Sequence, residues 1–411
     1  MEEPFLFQFW MYCIFSEIIR LHWGIIVKGL YIQLDFSLDQ IKEDTESGVA
    51  RKIFYQIDAF KNNGIEMDVI NPLMDRTSFI YKVERRLPVT VFQPTDEIID
   101  RISTYNFIYI RNTVVMDKYI FLLLKKVKLK NPSMIILLEV PTYPYDTEIS
   151  TGNKLGKKPL VMIDRHIRKN LCNYIDRVIT FSSDDMIWNI PTIRISNAID
   201  YNKIQRRKII QEIEDAKIEI IACAQLRYWH GYDRALQGLA EYYDNSQKGQ
   251  KNFMLHIVGD GDELIKYKKF ITENRIENHV ILHGSLYGSA LNDIYERCVI
   301  GLDSMGRHRT GVFYNSSLKG KEYLAKGLLV VSGVTTELDY DEEYKYYLRV
   351  PADDSSVDFT KVAEWVDALL EKETLGEIQN KIMEYARQNF DYAVSMKKII
   401  EYLKAEKTVS E

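Results

Sequence analysis

Residues Ile300 to Val334 read IGLDSMGRHRTGVFYNSSLKGKEYLAKGLLVVSGV, and the order of features in this stretch sets the fold. An apolar strand ends at Leu302 and Asp303, and a loop with Arg307, His308 and Arg309 follows it. A short helix opens at Ser316 and Ser317, Gly327 stops it, and LLVVSG returns as the next buried strand. This is a β-loop-α-β unit of a parallel sheet, whose ligands bind beyond the carboxyl ends of the strands. A serine cap with free backbone N–H groups and neighbouring cations suits an anion such as a diphosphate. Lys319 and Glu322 lie three residues apart and share one helical face, so the carboxylate stands a turn beyond the cap. Read alone, this segment is better taken as an ordinary βαβ turn with solvated charges; the rest of the chain is what favours the anion site.

Outward from this unit the pattern repeats. IEIIACA, NFMLHIV, HVILHG, CVIGLD and LLVVSG recur at roughly thirty-residue spacing with helices between most of them, which predicts a second doubly wound unit. The loops after these strands bring Gln225, Arg227, His230 and Gly231, then Gly259, Asp260, Gly261 and Asp262, then His283 and Gly284, then Asp303 to Arg309. Arg227, His230 and Lys319 are the candidates for stabilising a departing diphosphate. Asp260-Gly261-Asp262 has the form of a metal-holding Asp-any-Asp signature, but its glycines after a strand suit a phosphate or base loop better, and no metal or other cofactor is expected.

Toward the amino terminus LYIQLD reads as a first strand, followed by a helix with Val49, Ile53, Ile57 and Phe60 on one face and Gly48 at its entry. EMDVI, FIYKV, TVFQ, FIYIRN, MIILLEV and RVITF read as further strands, with helices over Val115–Lys126 and Ile163–Tyr174. Arg111 and Glu139 fall at strand ends, and Pro141 and Pro144 stiffen a loop presenting Thr142, Tyr143, Tyr145 and Glu148. Gly48, Arg111, Glu139 and Tyr143 are therefore candidates for an acceptor side. Lys125, Lys126, Lys128 and Lys130 form a basic cluster that suits either a solvated helix end or anionic lipid. A variable helix is expected over Tyr201–Lys217, and three helical segments after Asp358.

With 411 residues and 46% hydrophobic content the chain can build two cores. A net charge of -5 argues against a nucleic-acid binder. Cys13, Cys172, Cys223 and Cys298 show neither paired nor metal-ligand spacing, which suits a reducing, cytoplasmic setting. PFLFQFWMYCIF near the start is too short to span a bilayer, and Glu2 and Glu3 stand where a signal peptide needs positive charge. A peripheral contact with the inner membrane face is left open.

These motifs resemble those of GT-B glycosyltransferases of the family 4 type (group 1), and of a bacterial polysaccharide-assembly subgroup. SNAID (Ser196–Asp200) looks like the family's Asn-Gly-Val-Asp junction, ACAQLRYWHGYDRAL its phosphate loop, VGDGDE its glycine loop, and SLKGKEYLAKGLLVV its closing Glu-bearing segment. The resemblance implies an α/β chain of two Rossmann-like doubly wound domains facing across a cleft. It implies an extension over 1–28, an acceptor domain over 29–200, a nucleotide-sugar domain over 201–390, and a helix over 391–411 crossing back. It further implies a retaining, metal-independent hexosyl transfer from a nucleotide diphosphate sugar to a lipid-linked glycan in surface polysaccharide assembly; a non-catalytic subunit binding a glycan or partner transferase is the alternative. Glu322 would bind the donor ribose, Lys319 or Arg227 the diphosphate, and His230 stands where the family has lysine. Gly231, Gly259, Gly261, His283, Gly284, Arg309, Ser316 and Ser317 would complete the donor side. The sequence departs from the pattern at Gln225 (usually arginine), Ala198 (usually glycine) and Tyr314, where the family has its first glutamate.

Overall fold

The computed structural model describes residues 27–43, 47–73, 78–88, 90–112, 115–146, 158–201, 203–205, 207–210, 217–244 and 251–410. Most of the expected amino-terminal extension, and Glu148, lie outside them. The chain divides into two compact units, one of Met1–Ile195 with Met396–Glu411 and the other of Ser196–Ser395.

The first unit is built on strands β1 (Val27–Ile32), β2 (Ile65–Ile70), β3 (Phe107–Arg111), β4 (Ile135–Val140), β5 (Arg177–Thr180), β6 (Met186–Ile187) and β7 (Ile190–Arg194). They lie in the order β2-β1-β3-β4-β5-β7-β6, parallel throughout except for the β6/β7 hairpin. The continuous apolar runs of β3 and β4 follow from coverage on both faces. The helix Gly48–Asn62 is capped by Ser47, whose Oγ accepts from Ala50 N at 3.3 Å, and it buries Ile53, Ile57 and Phe60.

Several expectations are corrected here. The first strand starts at Val27, so Val27 and Lys28 belong to the sheet and not to an extension. FIYKV is a helix, Phe79–Glu84, because Tyr81 and Glu84, at helical spacing, find buried polar partners that alternation in a strand would not reach. TVFQ forms no strand. The helix expected from Val115 starts at Lys118, because Asp117 caps it through Tyr119 N (2.9 Å) while Met116 N is held by Asp164 (2.8 Å). The helix expected over Ile163–Tyr174 is Lys158–Arg168, and Leu171–Asn173 closes as a separate 3-10 turn. The basic cluster is engaged within the unit. Lys128 Nζ is 2.9 Å from both carboxylate oxygens of Asp176, Lys130 pairs with Asp100, Lys126 Nζ donates to Pro94 O at 3.4 Å, and Lys125 lies 6.0 Å from the centre of the Tyr174 ring.

The second unit has strands β8 (Lys217–Cys223), β9 (Asn252–Val258), β10 (Val280–Gly284), β11 (Ile300–Leu302), β12 (Leu329–Ser332) and β13 (Tyr347–Arg349), all parallel, in the order β10-β9-β8-β11-β12-β13. The last of these was not anticipated. Ile218, Ile220 and Ile221 of β8 are fully buried, and each such side chain stabilises the fold by roughly 1.5–3 kcal/mol. No helix is found at 203–205 or 207–210, where one was expected between Tyr201 and Lys217. Carboxyl-terminal helices Phe359–Leu370, Leu375–Phe390, Tyr392–Ser395 and Lys397–Ser410 follow. Among the described residues no helix is long and apolar enough to cross a membrane.

Candidate functional site

At the carboxyl ends of β8, β9 and β11 three loops close on one another through their backbones. Met305 N donates to His230 O at 2.7 Å, and Leu226 N donates to Asp260 O at 2.8 Å. Gly231 has φ +66°, and a Cβ there would lie 2.4 Å from Gly306 N, so this crossing demands glycine. Gly259 has φ +134°, and a Cβ on it would overlap Ala224 O at 1.8 Å. These glycines hold the loops together; nothing in their geometry presents them to a ligand directly.

The helix Leu318–Ala325 brings the charges. Ser317 is its N-cap, with Oγ accepting from Gly320 N at 3.0 Å and donating to the buried Asp303 Oδ1 at 2.7 Å. Lys319 Nζ donates to Tyr232 Oη at 3.0 Å and stands 3.7 Å from Asp303 Oδ1. Burial pushes the Lys319 ammonium down to about 8 against the pull of Asp303, and Arg307 pushes in the same direction as burial. His230 is stacked on Tyr232, ring centres 5.9 Å apart, and its Nδ1 accepts from Arg227 N at 3.3 Å, which assigns a neutral ring. Burial, then Lys319 and Arg307, push this imidazole down to about 2. His230 therefore stays neutral at pH 7 in a field set by Lys319, Arg307 and Arg227, a field that an anion would relieve. Glu322, one turn further along, acts electrostatically on Cys223 at the end of β8, on Tyr323 and Lys326 of its own helix and its C-cap, and on Tyr295 at the end of the helix Gly288–Tyr295.

Other candidates are occupied elsewhere. Arg309 forms a fork with both carboxylate oxygens of Asp233 (3.0 and 2.7 Å), donates to Asp354 Oδ1 (2.7 Å) and to Tyr228 O (2.8 Å), and so braces the loop. Ser316 is buried; its Oγ accepts from Asn197 N at 2.8 Å and its carbonyl accepts from Asn197 Nδ2, which ties SNAID to the helix entry. His283 Nε2 lies 2.9 Å from His256 Nδ1, and His256 Nε2 lies 2.9 Å from Glu219 Oε2, so His283 belongs to a chain of its own. Gly284 accepts from Gly259 N at 2.7 Å through its carbonyl. Asp262 pairs with Arg227, and Asp260 Oδ1 accepts from Gly261 N at 2.7 Å, so the two carboxylates turn to different partners. Tyr314 pairs as a β-bridge with Thr335 and packs 6.1 Å from Tyr340.

The acceptor-side candidates belong to the first unit. Glu139 is completely buried between Lys52 Nζ (3.1 Å) and Arg111 Nε (3.2 Å), and accepts from Tyr109 Oη (2.5 Å) and Gln56 Nε2 (2.7 Å). Burial alone would raise its pKa; Lys52 and Arg111 override it and hold the carboxyl below the usual range. Burial pushes Lys52 down to about 8. Arg111 Nη1 reaches Asp35 Oδ2 at 3.4 Å, so Asp35 forms the solvent end of this cluster. Gly48 is exposed, with open space around its Cα. Tyr143 packs a corner with Trp188, ring centres 6.2 Å apart, beside Tyr145.

Sequence reasoning brought Asp303 and Arg307 to the crevice only as members of the Asp303–Arg309 loop, without a role, and did not name Tyr232. Their signal was present, since Asp303 and Arg307 follow β11 and Tyr232 opens the helix Tyr232–Asp244 after the β8 loop, but residue type alone does not separate Arg307 at the site from Arg309 in a brace.

Residues 203–302 match the family model of glycosyl transferases group 1. The match runs through β8, β9, β10 and β11, contains His230, Gly231 and Gly259, and ends at Leu302, before the loop that carries Met305 and Gly306. No curated protein matches the sequence. Among solved structures the chain is similar to HepE of Anabaena in complex with UDP, at 13% identity over 92% of this chain and 100% of that one, with a TM-score of 0.59. It is also similar to the lipopolysaccharide outer core galactosyltransferase WaaB (12%, 92% and 100%, 0.58) and to sucrose-phosphate synthase of Thermosynechococcus elongatus (13%, 92% and 99%, 0.56). At these identities the likeness establishes the fold, which is GT-B with two Rossmann-like units. Residues 203–302 are thus similar to group 1 glycosyl transferases, and the two-unit architecture is that of the GT-B fold.

Proposed function

We propose that the protein is a retaining glycosyltransferase that moves a hexose from a nucleotide diphosphate donor to a lipid-linked glycan acceptor in surface polysaccharide assembly. The observation that carries the donor side is the convergence of Lys319, Arg307 and Arg227 on the neutral His230, beside a helix capped by Ser317. Breaking the bond to the anomeric carbon leaves negative charge on the diphosphate. Lys319 and Arg307 stabilise that charge electrostatically, and the loss of one such donor commonly lowers the rate by a hundredfold or more. Neutral His230 accepts from Arg227 N through Nδ1 and bonds to the backbone of Gln225, so it orders the loop beside the leaving group without adding a charge. Glu322 accepts from the donor's ribose hydroxyls. The chain's own cations stabilise the leaving group, so transfer is expected to survive chelation by EDTA; its complete loss, with recovery on adding a divalent ion, would contradict this. UDP is the first nucleotide to test because the similar HepE was solved with it.

The decisive experiment is a thermal-shift panel of UDP, GDP and ADP followed by turnover of the matching nucleotide sugars. A nucleotide at 100-fold above its dissociation constant should add about 2.7 kcal/mol of stability. Glu322→Ala should fold normally and lose transfer, and an unaltered rate would remove Glu322 from the site. The second reading, a non-catalytic subunit, is favoured by Tyr314, whose aromatic packing on Tyr340 replaces the carboxylate that the resemblance expects there. Nucleotide binding without turnover of any donor would select it.

A further inference from the structure

The segment that follows β2 is built inside out. In Phe79–Glu84 the residues that reach into the first unit are polar. Tyr81 is buried and donates to Asp117 Oδ1 at 2.8 Å, and Glu84 is buried, accepts from Val91 N at 2.9 Å and lies 3.4 Å from Lys118 Nζ. Lys118 Nζ also donates to the carbonyls of Glu84 (2.7 Å) and Leu87 (2.8 Å), and Arg85 Nε lies 2.8 Å from Asp117 Oδ2. The apolar residues point away: Phe79 is 80% exposed, Ile80 68%, Val83 40%, Leu87 45% and Val91 68%. Lys82 and Arg86 are exposed among them, and between Ser78 and Val91 the described residues include no exposed carboxylate.

An apolar patch of this kind is an interaction site, because nothing about folding the first unit requires it. Its buried ion pairs fix the apolar side chains outward. The occupant must offer both an apolar phase and negative charge. A second copy docked face to face would bring Lys82 and Arg86 against their own equivalents, like charge on like. An anionic lipid surface supplies both requirements in one layer: the acyl boundary takes the apolar side chains and the headgroups take the cations.

We propose that Phe79, Ile80, Val83, Leu87 and Val91 insert into the interface of an anionic membrane, with Lys82 and Arg86 on its headgroups. The inference rests on the first unit alone and is independent of the transfer reading, although a membrane-docked first unit would meet a lipid-linked acceptor at its source. It also moves the expected membrane contact away from Lys125 to Lys130, which are engaged within the protein.

The test is co-sedimentation of the full chain with vesicles of phosphatidylcholine alone and of phosphatidylcholine mixed with phosphatidylglycerol. The chain should partition onto the mixed vesicles and release at high salt. Replacing Lys82 and Arg86 by serine should weaken partitioning by roughly 25-fold, about fivefold for each cation. Phe79→Ser with Ile80→Ser should weaken it by about tenfold or more. Both pairs are solvent-facing, so circular dichroism and the response to UDP should stay as in the parent chain. Failure of the parent chain to bind the anionic vesicles overturns the proposal, as does equal binding by the variants. Phe79→Ser with Ile80→Ser splitting an oligomer in light scattering, with vesicle binding unchanged, overturns it in favour of self-association. The UDP response is a separate measurement, so loss of the membrane reading leaves the donor reading standing, and the reverse.

Discussion

Donor binding should take up a proton, and the amount is set by Lys319. Its ammonium sits at about 8 in place of the ordinary 10.5, with burial as the main cause. At pH 8 roughly half of the unliganded molecules hold Lys319 neutral, about a tenth at pH 7 and about nine tenths at pH 9. A diphosphate placed beside Nζ restores the charge and lifts the pKa back, so UDP should take up roughly 0.5 proton at pH 8, about 0.1 at pH 7 and about 0.9 at pH 9. The terminal UDP phosphate, with a pKa near 6, is fully ionised at pH 8 and 9 and contributes nothing there; at pH 7 about a tenth of it is protonated, and the proton it loses on binding offsets the uptake by Lys319. Affinity should fall about tenfold per pH unit above 8. The free chain moves the other way. Its folded-state pKa lies below the unfolded one, so between pH 8 and 10.5 the unfolded chain holds more protons and folding stability rises with pH, by at most about 3 kcal/mol. Isothermal titration with UDP in buffers of different ionisation enthalpy reads the uptake directly, and Lys319→Met should abolish it. Zero uptake at pH 8, or the same uptake in Lys319→Met, would refute the placement of the diphosphate beside Lys319.

Three stability predictions follow from the same contacts. Ser317→Ala removes the cap to Gly320 N and the donor to buried Asp303, and should cost about 1–3 kcal/mol in urea unfolding together with weaker UDP binding. Glu139→Ala leaves buried Lys52 without its counter-charge and Arg111 with only Asp35 at 3.4 Å, and should cost about 3–5 kcal/mol, seen as a lower urea midpoint. Gly259→Ala forces a Cβ onto Ala224 O at a left-handed φ, and should destabilise well beyond the roughly 1 kcal/mol of an average substitution, with loss of soluble yield.

The parallel sheets were legible because strands covered on both faces are apolar without alternation, as in FIYIR and IILLEV. FIYKV was misread for the same reason. Its apolar letters suggest burial, whereas Tyr81 and Glu84 carry the buried contacts through Asp117 and Lys118, partners more than thirty residues away that no local window contains. At the site, the Ser317 cap and Lys319 were found by position on a helix start, which is local information. The division of labour between Arg307 and Arg309 was not readable, because it depends on Asp233, in the first turn of the helix Tyr232–Asp244, and on Asp354, both distant in sequence, reaching Arg309. Ser316 and Ser317 are adjacent letters with different duties, and only Asn197 decides which one faces the helix dipole.

The meeting of Gly231 and Gly306 has a consequence for how substrate is received. A Cβ on Gly306 would stand 3.0 Å from Gly231 Cα, so two main chains touch with no side chain to yield between them. The floor beneath His230 and Met305 is thus cast during folding, and the entropy of ordering it is lost once, at synthesis, in place of at every encounter with a donor.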